Sequence, residues 1–247
     1  MKDTRDIMGM PIIIEVVDKK VTPKNIENVF EYFESVDKRF STYKRDSEIS
    51  KINRNEILPK NFSLEMQEVF KLSEETKKIT KGYFDIYRNG HIDPSGLVKG
   101  WAIFNGAKIL DELGFENFYI SAGGDIQVKG KNESSKKWRI GIKNPFNQEE
   151  IIKIVELTTE GIATSGTYIR GQHVYNPFKK GDITDIVSLS VIGPNIYEAD
   201  RFATAAFAMG MDGIKFIQKQ KNLEGYMIDK NGIATFTEGF EKYVVNN

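Results

Sequence analysis

Apolar residues recur at steps of three and four in two stretches of the chain. Ile26, Val29, Phe30, Phe33, Val36 and Phe40 fall on one stripe behind Thr22 and Pro23, and Leu64 to Thr80 carries a second. Both predict amphipathic helices with one face turned to a core. A third helix is expected from about Ser95 to Leu113, with Gly114 as its stop. Downstream the period shortens, and NFYIS (117–121), IQVKG (126–130), WRIGI (138–142), IIKIVEL (151–157) and IVSLSVI (186–192) read as strands. AAFAMGMDGIKFIQKQ (205–220) predicts a continuing helix, and YMIDKNGIATF (226–236) a strand, a turn and a strand. Helix, strand, turn, strand thus occurs twice, once after Asp93 and once after Asp200. The fold class is α+β, with helices layered on antiparallel sheet, in one domain over 1–247, and the repeat suggests an internal duplication that would bring the two helices to a shared centre.

Composition narrows the function classes. Lys and Arg total 35, as do Asp and Glu, so no net field draws the chain to nucleic acid or an anionic membrane. Cysteine is absent, which excludes disulfides, thiolate metal sites, a cysteine nucleophile and a lipid-anchored cysteine. The opening MKDTRDIMGMP holds no apolar signal-like run, and no stretch approaches the roughly 20 residues of a membrane span. A cytoplasmic protein is expected, with an exported one stripped of its signal as the alternative.

Candidate chemistry concentrates at two helix starts. In DPSGLVKGWA (93–102), Asp93 reads as an N-cap and Pro94 as the first helical residue. The unpaired N–H groups of the following turn form an anion site that Gly96 leaves open, and Lys99 stands one turn on to meet a phosphate. The plain alternative makes Asp93 a cap, Gly96 a packing glycine and Lys99 a solvated side chain. In EADRFATA (198–205), Asp200 and Thr204 are four apart and share one helical face. A carboxylate and a hydroxyl are hard oxygen donors, and so sparse a pair suits Mg2+, which fills its other positions with water and substrate phosphate. Here the alternative is an exposed Asp near a helix start, with Thr204 packed inside the turn. The SAGGDI glycines, between two strands, read equally as a hairpin turn. His173, one of two histidines, lies in a polar segment and suits general base work. His91 reads as a loop residue.

Eight ordered segments, MGMP (8–11), RFSTYKRDSEISKIN (39–53), GYFDI (82–86), DPSGLVKGWA, SAGGDI, ATSGTY (163–168), HVYNP (173–177) and EADRFATA, resemble the FAD:protein FMN transferases, the ApbE family. The resemblance runs from Met8 to about Gly210. It implies that Asp93 and Lys99 contact FAD, that the Gly96 carbonyl ligates Mg2+, and that Asp200 and Thr204 supply the other metal oxygens. Met8, Ser41, Thr42, Tyr43 and Asp85 would line the flavin and adenine sites, with Ile186 also counted among the FAD contacts. For Tyr43 and Asp85, a core aromatic and a strand-end carboxylate are the plain alternatives. His173 and Asp200 would be the catalytic residues.

The implied reaction moves FMN from FAD to a threonine of an acceptor protein through a phosphoester bond, releasing AMP, with FAD as substrate and Mg2+ as cofactor. The chain departs from the family in several places, a shortened segment between ATSG and HVYNP among them. Asn176 replaces an aspartate after the histidine, Ile86 is followed within seven residues by Asp93 where relatives carry tens, and Phe104 stands where a carboxylate would end the K-G-Y-A motif. A shortened flavin pocket would favour FAD hydrolysis to FMN and AMP, or flavin binding without catalysis, as alternatives.

Overall fold

The computed structural model describes residues 1–88, 90–167, 174–179 and 181–245. The chain opens with strands β1 (Lys2–Ile7) and β2 (Met10–Val16), then helices α1 (Pro23–Phe40), α2 (Glu48–Asn53) and α3 (Leu64–Ile79). A short hairpin of β3 (Tyr87–Arg88) and β4 (His91–Ile92) precedes α4 (Ser95–Glu112), β5 (Phe118–Ala122) and β6 (Asp125–Lys129). Next come β7 (Trp138–Asn144), β8 (Asn147–Leu157), β9 (Gly161–Gly166) and β10 (Ile186–Gly193). The chain closes with α5 (Ile196–Ala208), α6 (Gly213–Gln218), β11 (Glu224–Asp229) and β12 (Ala234–Phe236).

The main sheet has eight strands in the order β1-β2-β5-β6-β9-β10-β11-β12, and every neighbouring pair is antiparallel. Its halves have one connectivity. In the first, hairpin β1–β2 leads through α4 to hairpin β5–β6; in the second, hairpin β9–β10 leads through α5 to hairpin β11–β12. The repeat seen along the chain is therefore a repeat of strand order, joined at the β6–β9 seam through Ile126 with Ile162 and Gln127 with Gly161.

Helices cover one face of the sheet. The α1 stripe is buried throughout, and it packs with Ile12, Ile14, Ile120, Leu189 and Val191 in one large core. The period of two in a strand sends alternate residues to opposite faces: Met227 joins that core, while Tyr226 and Ile228 join a second cluster with Trp138, Ile140 and Val155. Strands β7 and β8, expected from the pattern, thus leave the main sheet and form their own two-stranded one.

Several elements differ from expectation. The helix expected across 205–220 stops at Ala208, turns through the short 3-10 segment Gly210–Asp212 and restarts as α6. Gly210 has φ +64, and a side chain there would meet the Asp185 carboxylate at 2.5 Å, which instead accepts the Met211 N–H. Strands β1, β2 and β9 are elements the pattern did not mark. β1 is a mostly polar edge strand, and β9, GIATSG, consists largely of small residues. At the β1–β2 turn both Met8 (φ 59) and Gly9 (φ 72) are left-handed, the geometry of a type I′ hairpin.

Candidate functional site

The site forms where α4 lies against α5. α4 begins at Ser95, and Pro94 occupies its cap position rather than the first helical one, a shift of one residue from expectation. Asp93 still serves the helix start, because its Oδ1 accepts the Ser95 N–H at 3.0 Å. The two helices then meet through paired small residues one turn apart. The Thr204 hydroxyl donates to the Gly96 carbonyl at 3.3 Å, and Asp200 Oδ2 accepts the Gly100 N–H at 2.7 Å. A methyl at position 100 would lie 2.6 Å from Asp200 Cβ and 2.9 Å from the Ile196 carbonyl, so only glycine admits this approach.

Behind these contacts sits a charge cluster. Lys99 Nζ lies 2.5 Å from Asp125 Oδ2 and 3.7 Å from Asp200 Oδ1. Expected on a phosphate, Lys99 is bound up with these two carboxylates. Asp125 is 2% exposed, and its Oδ1 accepts the Thr164 N–H at 3.1 Å. The ATSG motif thereby finds a use, since Thr164 on β9 holds Asp125 while its hydroxyl pairs with Ser190 at 2.8 Å. Burial pushes the Asp200 carboxyl up, to about 7; the Lys99 ammonium opposes the rise and Asp125 adds to it.

Two carboxylates sharing one ammonium leave an excess of negative charge, and the Gly96 carbonyl and Thr204 hydroxyl add hard oxygens at the same helix contact. This donor set fits a divalent cation. Among the described residues no three His, Cys, Asp or Glu side chains converge as a metal cage, so a cation here would keep positions for water and phosphate oxygen, as Mg2+ does.

Two clefts flank the α4 start, and Ser95 lines both. One, of about 590 Å3 with its mouth, holds Asp85, Asp93, Gly96 and Thr204. The other, of about 490 Å3, holds Met8, Ser41, Thr42, Tyr43 and Lys99. Tyr43 is 99% exposed, which rules out the core-aromatic alternative. Asp85 pairs with Lys77 at 2.8 Å and accepts the Tyr87 N–H. Between Ile86 and Asp93, Tyr87 pairs with Ile92 and Arg88 with His91 as the β3–β4 hairpin, and Arg88 stacks over Tyr175 at 4.2 Å, so this short stretch still walls the first cleft. His91 lies in β4 rather than in a loop. Asn176 accepts the Phe178 N–H and caps a turn.

Ile186 is a described candidate that the fold sets apart from the helix contact and from both clefts. It is 0% exposed in the helix-side core and lines neither cleft. Its apolar side chain at the start of β10 is used for packing. His173 lies outside the described residues. Sequence reading missed Asp125 and Gly100. The SAGGDI glycines do make the β5–β6 turn, with Gly123 at φ 58 and Gly124 at φ 95, and that sufficient explanation hid the aspartate beside them.

Comparison with known proteins agrees with this arrangement. The ApbE family model matches residues 8–90 and 86–227. The chain is similar to a Klebsiella pneumoniae protein named FAD:protein FMN transferase, with 31% identity over 163 residues, covering 62% of this chain and 45% of that one. A Haemophilus influenzae protein of the same name is 24% identical over 279 residues, covering 86% and 81%. The chain thus spans about half the length of several curated relatives it matches. Among solved structures, the ApbE protein of Thermotoga maritima superposes with a TM-score of 0.88 at 21% identity, covering 100% of this chain and 99% of that one. The flavin transferase ApbE of Vibrio cholerae gives 0.86 at 22%, covering 98% of each.

Proposed function

Because the chain belongs to the ApbE family, we propose that it transfers FMN from FAD to a threonine of an acceptor protein, with Mg2+ held at Gly96, Asp200 and Thr204. The names of its relatives support the reaction class. The observation that carries the reading is the α4–α5 contact, which sets two hard oxygens on the wall of the first cleft and a buried carboxylate one turn along the same contact.

In this reaction the threonine oxygen bonds to the FMN-side phosphorus, the bond from that phosphorus to the bridging oxygen breaks, AMP leaves, and the hydroxyl gives up its proton. Such chemistry depends on positioning and on neutralising charge rather than on covalent help from the protein. Mg2+, when bound, supplies that neutralisation at the phosphate oxygens.

The chain's own residues do the rest. The α4 start turns the positive end of an 18-residue helix to the ridge between the clefts. Asp125 holds Lys99, whose charge lines the second cleft. Met8, Ser41, Thr42 and Tyr43 on that side, with Asp85 and Asp93 on the other, form the FAD surface. His173 takes the hydroxyl proton, with the Asp200 carboxylate as the alternative acceptor.

The test incubates purified protein with FAD, MgCl2 and a purified acceptor domain bearing one accessible threonine, following AMP release and covalent flavin fluorescence in a gel. Labelled acceptor with equimolar AMP, lost in Asp200→Ala, is the expected result. AMP with free FMN and no label would replace the transferase reading with hydrolysis. No AMP would leave a flavin-binding protein.

A further inference from the structure

A second groove lies beside the first cleft, between the end of α3 and α6. It measures about 910 Å3 with its mouth. Tyr83, Met209 and Phe216 give it an apolar lining, together with Ile79, which is 45% exposed. Exposed apolar surface in a recess of this kind marks a contact site more than an accident of packing.

Its charge is one-sided. Lys81, Lys215 and Lys219 stand against Asp212. Lys215 pairs with Asp212 at 3.1 Å, whereas Lys81 and Lys219 have no acidic partner among the described residues. The chain as a whole carries no net charge, so this is a local basic rim.

The groove also borders the candidate active site. Tyr83 lines both the groove and the cleft that holds Asp85, Gly96 and Thr204. Phe178 packs edge-on against Tyr83 at 4.9 Å and is itself exposed. A methyl on Gly82 would sit 3.1 Å from the Phe178 ring, so the bare glycine keeps this aromatic ridge low.

We infer that the groove seats the threonine-bearing segment of the acceptor protein, an extended stretch with apolar side chains against Tyr83, Met209 and Phe216 and acidic side chains against the lysine rim. The inference rests on the transferase reading. A segment lying there crosses the Tyr83 ridge to deliver its hydroxyl into the first cleft. Acidic complementarity would act mainly on encounter and register, while the apolar lining supplies contact.

The test uses the full chain and the acceptor domain of the transfer assay, comparing wild type with a Lys81→Glu, Lys215→Glu, Lys219→Glu triple variant. All three positions are exposed, and circular dichroism checks that the variant folds. The acceptor KM is expected to rise about tenfold at low salt, with kcat and FAD affinity unchanged within about twofold. Replacing the acidic residues flanking the acceptor threonine with lysine should restore most of the loss in the variant. An unchanged KM in a variant that still binds FAD overturns the groove assignment and leaves the transferase reading standing. A parallel loss of FAD affinity also overturns it, since the lysines would then belong to the flavin site. A wild type that labels no acceptor overturns both.

Discussion

Gly100 is the tightest constraint at the scale of single residues. Its missing side chain allows α5 to bring Asp200 within 2.7 Å of a backbone N–H. Gly100→Ala would place a methyl 2.6 Å from Asp200 Cβ and 2.9 Å from a backbone carbonyl, neither of which can swing away. We expect a loss of about 1–3 kcal/mol in urea unfolding, with FMN transfer lost even where the variant folds. Asp18 illustrates a different constraint, an acid used as a brace. Burial alone would raise its pKa, yet the hydrogen bonds it accepts from the Asn117 backbone and side chain and from Glu116 N outweigh this and hold it below the ordinary value. A carboxyl lowered in the folded state stabilises above its unfolded pKa and ceases to as pH falls through the folded one. Thermal melts of wild type and Asp18→Asn should therefore differ by about 1 kcal/mol near pH 6 and converge as pH falls below the usual carboxylate range.

At the scale of elements, the candidate site is a property of two helices and their ends. α5 is capped by Asn195, whose Oδ1 accepts the Glu198 N–H at 3.0 Å. Arg201 ties the helix to α3 by donating to Thr76 Oγ1 while it makes three hydrogen bonds to Glu198. Asn195→Ala should cost about 1 kcal/mol in denaturant unfolding. Transfer should fall less than in Gly100→Ala, because the cap lies beyond the contact that sets Asp200. Much at this scale was legible along the chain. The α1 stripe and the α3 stripe were both helices, because an unbroken period over four or more turns has few other solutions. The break at Gly210 was not, since apolar residues continue through it and the stop comes from Asp185, twenty-five residues earlier in sequence.

At the scale of the molecule, the two four-stranded halves are stitched by a short β6–β9 seam and by α4 on α5, and the oxygens proposed to hold the metal lie on both sides of that second contact. A cation bound there stabilises the folded chain by mass action. At about a hundredfold excess over its Kd, Mg2+ should add about 2.7 kcal/mol, a rise of about 5–10 °C in the melting temperature of a chain this size. The rise should vanish with EDTA and in Asp200→Asn. Among the described residues no helix is long and apolar enough to cross a membrane.

The sequence by itself determined the elements whose signal is local, namely the amphipathic helices, the hairpins marked by Gly123–Gly124 and by Asn231–Gly232, and the oxygen pair of Asp200 and Thr204 that a helical turn aligns. It also carried the ordered motifs by which the family could be recognised. Only the tertiary structure decided which groups face one another across a hundred residues: that Lys99 is held by Asp125, that Gly100 donates to Asp200, that Ile186 is spent in the core, and that Tyr83 separates two recesses. The physical reason is range. Periodicity and turn chemistry act over a few residues, whereas a charge cluster or a cleft wall is made when packing brings distant segments into contact.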